Sequence, residues 1–367
     1  MTEYEETGDL SDVRLRLDQI DGQLVELLAQ RVEVSREIGR LASSGADAVF
    51  APSREAELLA RLGASIEGRL RTDHLRAIYR EILSASREAQ RPLRVAFLGP
   101  RATFGHQAAL QRFGSSSVYV PIPFQPDVVS EVERGNADYG VIAIENSSTG
   151  PVLESQDRLV QTRLLVCDEV ILPISMYLLS RGPIDEVKTV YTHIQSIGQT
   201  QRWVSQHLPG RVVQAVASNG LAAEMASQED GVAAIAPRVA ADVYGLNVLA
   251  ENIQDNTNNY TRFWIVGPRM SEHPTGNDKT AIVFSIHDRA GTLRDVAQVF
   301  AARDISLSSI QSRPARNLDP SRTWDYLFFF ELRAHAAEPR VQEALQALEA
   351  YTVFVKVLGS WPLAPTG

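Results

Sequence analysis

Cysteine occurs once in the 367 residues, as Cys167. That excludes an internal disulfide framework and any Cys-based zinc site. Its setting in LLVCDEVILPI reads as a small buried residue rather than a nucleophile. Basic charge is also short: 36 Lys and Arg stand against 45 Asp and Glu, net −9, with no Lys/Arg run. A general nucleic-acid binder, which needs a basic surface, is therefore not expected. No stretch approaches the run of about 20 apolar residues that spans a bilayer, and the acidic start MTEYEETGDLSD has no apolar leader region. GxGxxG and P-loop patterns are missing, and no His/Asp/Glu grouping has ligand spacing, so neither a nucleotide cofactor nor a metal is expected. These gaps leave a cytoplasmic enzyme or regulator that binds any anion with local donors.

What is present is a soluble, multidomain chain. Hydrophobic residues make up 44% and charged residues 22%, and the length calls for two or three domains. After an acidic tail over 1–10, residues 11–91 are rich in Arg, Glu, Leu and Ala with helical periodicity. From RPLRVAFLGP onward, over 93–270, short β-branched runs alternate with helical segments, which reads as α/β. After the linker SEHPTGND, residues 277–361 give the order βαββαβ of a ferredoxin-like α+β domain.

In the helical zone Val13, Leu17, Ile20, Leu24, Leu27, Val34, Ile38 and Leu41 form a coiled-coil-like seam, broken by Arg31. A cation there either snorkels to water or meets an anion. Arg14 lies 17 residues earlier on the same predicted helix, about 25 Å away, so one small ligand cannot touch both. Anion binding by both would need two sites, as paired long helices of a homodimer provide. Further on, Ser53 is a candidate N-cap ahead of Arg54 and Glu55, and Ser86 and Gln90 share one helical face.

The α/β zone places polar groups after its strands. Thr103 opens a helix, Glu145 and Asn146 end one strand, and His193 and Gln195 end another, where open α/β sheets gather ligands. His193 reads equally as a structural histidine or as an acid or base. The stretch DNTNNYTRFWIVG, from Asp255 to Gly267, sets Asn259, Thr261 and Arg262 against a buried strand. Turn chemistry explains part of it, and a polar small-molecule site explains the rest.

Three resemblances follow from these residues. Residues 11–91 resemble the all-helical chorismate mutase family, which implies that Arg14, Arg31 and Arg54 grip the carboxylates of chorismate, Arg14 from a partner chain. Glu55, Ser86 and Gln90 would complete that mutase site. Ala42 stands where the family has a lysine on the breaking ether oxygen, and Ala51 where aspartate is usual. Losing a donor aimed at developing charge costs about 10²–10³ in rate, so a weak, altered or purely architectural mutase is implied. Over 93–270 the motifs GPRATFGHQAA, AIENSSTGPV, VYTHIQSIGQ, ASNGLAAEMA and IQDNTNNYTRF resemble prephenate dehydratase. This implies two α/β subdomains around a cleft, like a periplasmic binding protein. Thr261 would be catalytic with Glu145, Asn146 and Gln195, while Thr103, Asn259 and Arg262 bind substrate. Ala102 and Gly105 replace a glycine and a serine of the family pattern.

The last zone resembles an ACT domain, with Gly291, Thr292 and Leu293 in its glycine turn and Gln311, Ser312, Arg313 and Pro314 in its second motif. That implies L-phenylalanine as effector, with glutamine at 311 in place of glutamate. The order of the three parts resembles bifunctional chorismate mutase/prephenate dehydratases of phenylalanine biosynthesis. Prephenate and chorismate are the implied substrates, no cofactor is implied, and a homodimer or homotetramer is expected. Two other readings fit the departures. One is a dehydratase whose lapsed mutase domain serves dimerisation. The other is a non-catalytic or specialised-metabolism relative that binds a prephenate-like ligand.

Overall fold

The computed structural model describes residues 10–42, 49–66, 68–287, 289–314 and 326–363. The expected tail falls almost wholly outside them, and Leu10 already belongs to the first helix. Three helices form the N-terminal part: α1 (Leu10–Ala42), α2 (Pro52–Ser65) and α3 (Thr72–Gln90). The seam of α1 lies open in the single chain, with Leu17 57%, Ile20 51%, Leu24 51% and Leu27 61% exposed. The N-cap of α2 is Ala51 rather than Ser53, because Pro52 takes the first helical position, where its missing N–H is no loss. Ser53 instead donates to the His273 carbonyl at 3.0 Å and hydrogen-bonds Ser271.

The central domain opens with β1 (Arg94–Leu98), α4 (Phe104–Phe113), β2 (Val118–Ile122), α5 (Gln125–Glu133) and β3 (Tyr139–Asn146). The short β4 (Gly150–Pro151), α6 (Leu153–Gln161) and β5 (Leu165–Pro173) follow. The chain then crosses into a second unit of β6 (Tyr177–Ser180), β7 (Thr189–His193), α7 (Ile194–His207) and β8 (Val212–Val216). That unit continues through α8 (Asn219–Gln228), β9 (Val232–Ala236), α9 (Val239–Tyr244) and β10 (Asn247–Ala250). Strand β11 (Tyr260–Gly267) returns to the first unit and lies between β5 and β3. The first unit thus carries β5-β11-β3-β1-β2 and the second carries β10-β6-β9-β7-β8, two sheets joined by two crossings.

The C-terminal domain runs β12 (Asp278–Ile286), α10 (Thr292–Ala301), β13 (Leu307–Pro314), β14 (Tyr326–Leu332), α11 (Pro339–Leu348) and β15 (Thr352–Pro362). This is the βαββαβ order read from the sequence. Its sheet does not stand alone: β13-β14-β12-β15 continues into β5 of the central domain through a parallel bridge from Gly359 to Val166. A Cβ at Gly359 would lie 2.0 Å from the Val166 carbonyl oxygen, so only glycine allows that approach. One continuous sheet therefore carries both the Thr261 strand and the C-terminal domain.

Candidate active site

Cross-strand register builds the polar group around Thr261, which pairs with Asn146 across β11 and β3. The Asn146 amide nitrogen donates to Thr261 Oγ1 at 2.9 Å and to Asn259 Oδ1 at 2.8 Å. Its orientation is fixed, because Asn146 Oδ1 accepts the backbone N–H groups of Ser148 and Thr149 at 2.9 and 3.0 Å. With its oxygen accepting from Asn146, the Thr261 hydroxyl keeps its own proton to give away. Thr261 and Asn259 are both buried. Turn chemistry accounts for much of the remaining stretch: Asp255 accepts the N–H groups of Arg202 and Trp203, and Asn256 accepts that of Asn258.

Helix starts supply the other donors. Thr103 caps α4, accepting from the His106 N–H and donating to the Leu98 carbonyl. Gln195 is exposed in the first turn of α7, which His193 caps through its ring nitrogen. The buried Asn219 at the start of α8 accepts from Thr192 Oγ1, the His193 N–H and Ser196 Oγ, which locks α7 to α8. The α8 start lies against the loop before α4, since a Cβ on Gly220 would meet the Arg101 carbonyl at 2.3 Å. The structure does not hydrogen-bond Thr103 or Gln195 to the Thr261 group; they lie on separate elements. Ala102, where the family pattern has glycine, has a φ of +65°, which explains the usual glycine.

Arg262 differs from its expected place beside Thr261. Adjacent strand residues face opposite ways: Phe263 and Ile265 enter the core beneath α4, and Trp264 and Val266 enter the core beneath α5 and the C-terminal sheet. Arg262 shares the second face. Its guanidinium donates to Glu145 at 2.7 Å, to Glu169 at 2.5 and 3.0 Å, and to both oxygens of Glu331 at 2.8 Å. Lys279 donates to Glu169 at 3.0 Å and lies 3.4 Å from Glu331. Burial alone would raise the Glu169 carboxyl, but Arg262 and Lys279 outweigh it and hold the pKa below the ordinary range. Glu145, too, faces this cluster rather than Thr261.

On the helices, Arg31 hydrogen-bonds Ser86 Oγ and donates to the Ile82 carbonyl at 3.4 Å. The cation that breaks the seam is thus met by α3. Gln90 stands one turn beyond Ser86, its amide on the Ser86 carbonyl. Arg14 lies far up the same unbroken helix, and Arg54 lines a separate cavity with Tyr139, Arg269 and His273. Glu55 turns to the central domain, pairing with Arg87 of α3 and, at 2.7 Å, with Arg112 of α4, which also pairs with Asp168. Burial pushes Glu55 up, yet the Arg112 and Arg87 guanidiniums hold its pKa below the usual carboxylate range.

Three family models match in order: Chorismate mutase type II over 13–91, Prephenate dehydratase over 95–271 and the ACT domain over 280–350. A bifunctional chorismate mutase/prephenate dehydratase of Aquifex aeolicus (strain VF5) is 39% identical over 97% of this chain and 98% of its own. The chain belongs to the bifunctional chorismate mutase/prephenate dehydratase family. A relative from Stutzerimonas stutzeri with the same description is 35% identical over 98% of this chain and 99% of its own. Among solved structures, a prephenate dehydratase of Arthrobacter aurescens in complex with L-Phe is similar at TM-score 0.66 and 31% identity, covering 75% of this chain and 92% of that one.

In the ACT domain the glycine turn and the second motif lie on different elements. Gly291 caps α10 with φ +89°, and the buried Thr292 donates to the Arg289 carbonyl, while Leu293 is exposed. On β13, Gln311 and Arg313 face the dehydratase domain: Gln311 accepts from Gln156 of α6 at 2.6 Å, and Arg313 donates to the Leu153 carbonyl at 3.0 Å and pairs with Asp157. Ser312 alternates to the other face, and Pro314 ends the strand. The sequence reading missed Asp168, Glu169, Lys279 and Glu331. Two adjacent carboxylates inside LLVCDEVILPI were the available signal, because buried charges demand partners. Cys167 beside them is buried as expected and donates to the Ile265 carbonyl.

Proposed function

We propose that the chain converts prephenate to phenylpyruvate, carbon dioxide and water at the Thr261 group, and chorismate to prephenate at the Arg31–Ser86–Gln90 group, for L-phenylalanine synthesis in the cytoplasm. The observation that carries the first step is the hydrogen bond from Asn146 to Thr261 Oγ1, which frees the threonine proton. Prephenate loses its ring carboxylate and 4-hydroxyl together and gains aromaticity, so no strong base is needed. A placed donor protonates the departing hydroxyl, and the helix starts at Thr103 and Gln195 offer N–H groups to the pyruvyl carboxylate. Asn259 and Asn146 hold the donor; Glu145 and Arg262 support the strand from behind.

The open α1 seam supports a homodimer in which a second α1 brings Arg14 to the Arg31 group. L-phenylalanine is the proposed effector of the ACT domain, at Gly291 to Leu293 and Gln311 to Pro314. Phenylpyruvate followed by ultraviolet absorbance, with prephenate or chorismate supplied separately, tests both steps. Thr261→Ala is expected to lower prephenate turnover about 10³-fold with circular dichroism unchanged, and near-parent turnover would remove Thr261 from the mechanism. Ala42 favours a second reading in which the mutase has lapsed. Under it, chorismate turnover in the parent stays near background, and Ala42→Lys raises it about tenfold or more.

A further inference from the structure

We propose that Glu169, Lys279 and Glu331 are positioning residues of the dehydratase, and that the ACT domain acts on the reaction through them. The inference rests on Thr261 as the proton donor. Thr261 and Asn146 are a cross-strand pair, and the next pair along the strands is Arg262 and Glu145. Immediately after it the register shifts between Arg262 and Phe263. The ladder is locally disrupted there, so the 2.7 Å Arg262–Glu145 ion pair takes over from backbone hydrogen bonds in tying β11 to β3 beside the catalytic pair.

What holds Arg262 comes from two domains. Glu169 belongs to β5 of the dehydratase; Glu331 and Lys279 belong to β14 and β12 of the ACT domain. Among the described residues the cluster sets two cations, Arg262 and Lys279, against three carboxylates, Glu145, Glu169 and Glu331. With negative charge in excess, and four of its N–H groups already donated, Arg262 is poorly placed to receive a substrate carboxylate. Lys279 is therefore needed: without it Glu169 and Glu331 repel each other across the same guanidinium.

The cluster also adjoins the effector motif. Glu331 pairs with Ser309 of β13, two residues before Gln311. Gln311, Gln156, Arg262 and Glu331 line one cavity of about 10 Å³, about the space of a single water. A displacement of β13 by an effector thus reaches Glu331 and the Gln156–Gln311 bond, and through them the strand that carries Thr261.

The test uses the full chain, with prephenate and chorismate kinetics measured separately and L-phenylalanine titrated. Glu331→Gln is expected to lower kcat for prephenate about tenfold to a hundredfold with KM within about twofold, and to flatten the phenylalanine response. Chorismate turnover stays at the parent level, and Glu331→Asp recovers part of the loss. Parent-like kcat and an unchanged phenylalanine response in Glu331→Gln would overturn the proposal. If that variant does not fold, Gln156→Ala decides: parent kcat without effector and a weakened phenylalanine response support it, and an unchanged response overturns it. A parent enzyme inert towards prephenate would instead overturn the dehydratase reading itself.

Discussion

Asp168 and Glu169 are neighbours on β5, yet they serve two different junctions. Asp168 faces the mutase helices, where Arg112 ties it to Glu55 and Arg87, with the Arg112 guanidinium 4.6 Å over the Phe50 ring. Glu169 faces the ACT domain, where Arg262 and Lys279 tie it to Glu331 and Glu145. Strand alternation alone separates the two networks. The difference lies in what each touches. The first joins α2, α3, α4 and β5, none of which bears Thr261; the second grips the residue next to Thr261. The mutase-side junction is therefore expected to govern stability, and the ACT-side junction turnover.

Breaking the mutase-side network gives the largest effect. Glu55→Ala leaves the buried Arg87 without its carboxylate and the half-buried Arg112 with Asp168 alone, a change that destabilises by about 3–5 kcal/mol. Urea unfolding should show that loss, while prephenate kcat of the folded fraction stays at the parent value. A fall in kcat matching that of Glu331→Gln would erase the distinction between the junctions.

A smaller effect sharpens the same side. His106 on α4 stacks on Phe97 at 4.7 Å and accepts the Ala102 N–H on Nδ1, and burial, then Arg101, lower its pKa from 6.5 to about 4. Because the folded histidine resists protonation, the unfolded chain binds more protons between those values. Its contribution is complete above pH 6.5 and is lost as pH falls toward about 4, amounting to about 3 kcal/mol over that range and about 2 kcal/mol by pH 5. Unfolding at pH 7.5 and 5 should show a drop that His106→Gln reduces. An equal drop in the variant would assign the pH dependence to carboxylates.

The sequence made the local order legible and left the long-range pairing hidden. The βαββαβ run, the α1 seam and the strand ending in Asn146 follow from periodicity and turn residues, which are local. The merging of the ACT sheet with β5 through Gly359 depends on a glycine 193 residues from Val166, and no local pattern reports it. The Thr261–Asn146 pairing was legible only as two separate polar motifs. Arg262 shows the limit most directly. Its adjacency to Thr261 in NNYTRF groups them in sequence, whereas a two-residue strand period sends them to opposite faces. The partners of Arg262 lie 69, 93 and 117 residues away.

The smallest effect concerns α2, which carries Glu55 into the mutase-side junction. Its N-cap Ala51 has φ −127° and ψ 85° and makes no side-chain cap. A carboxylate there accepts a first-turn N–H and meets the positive end of the helix dipole, so Ala51→Asp should stabilise the protein by about 1 kcal/mol. The gain should appear as a higher Tm and a higher urea midpoint with an unchanged slope. Because Glu55 sits in the first turn of that helix, a firmer α2 start also holds Glu55 against Arg87 and Arg112. In the Glu55→Ala background that second contribution is absent, so the Ala51→Asp gain should shrink. Equal gains in both backgrounds would show that α2 capping and the mutase-side junction are independent.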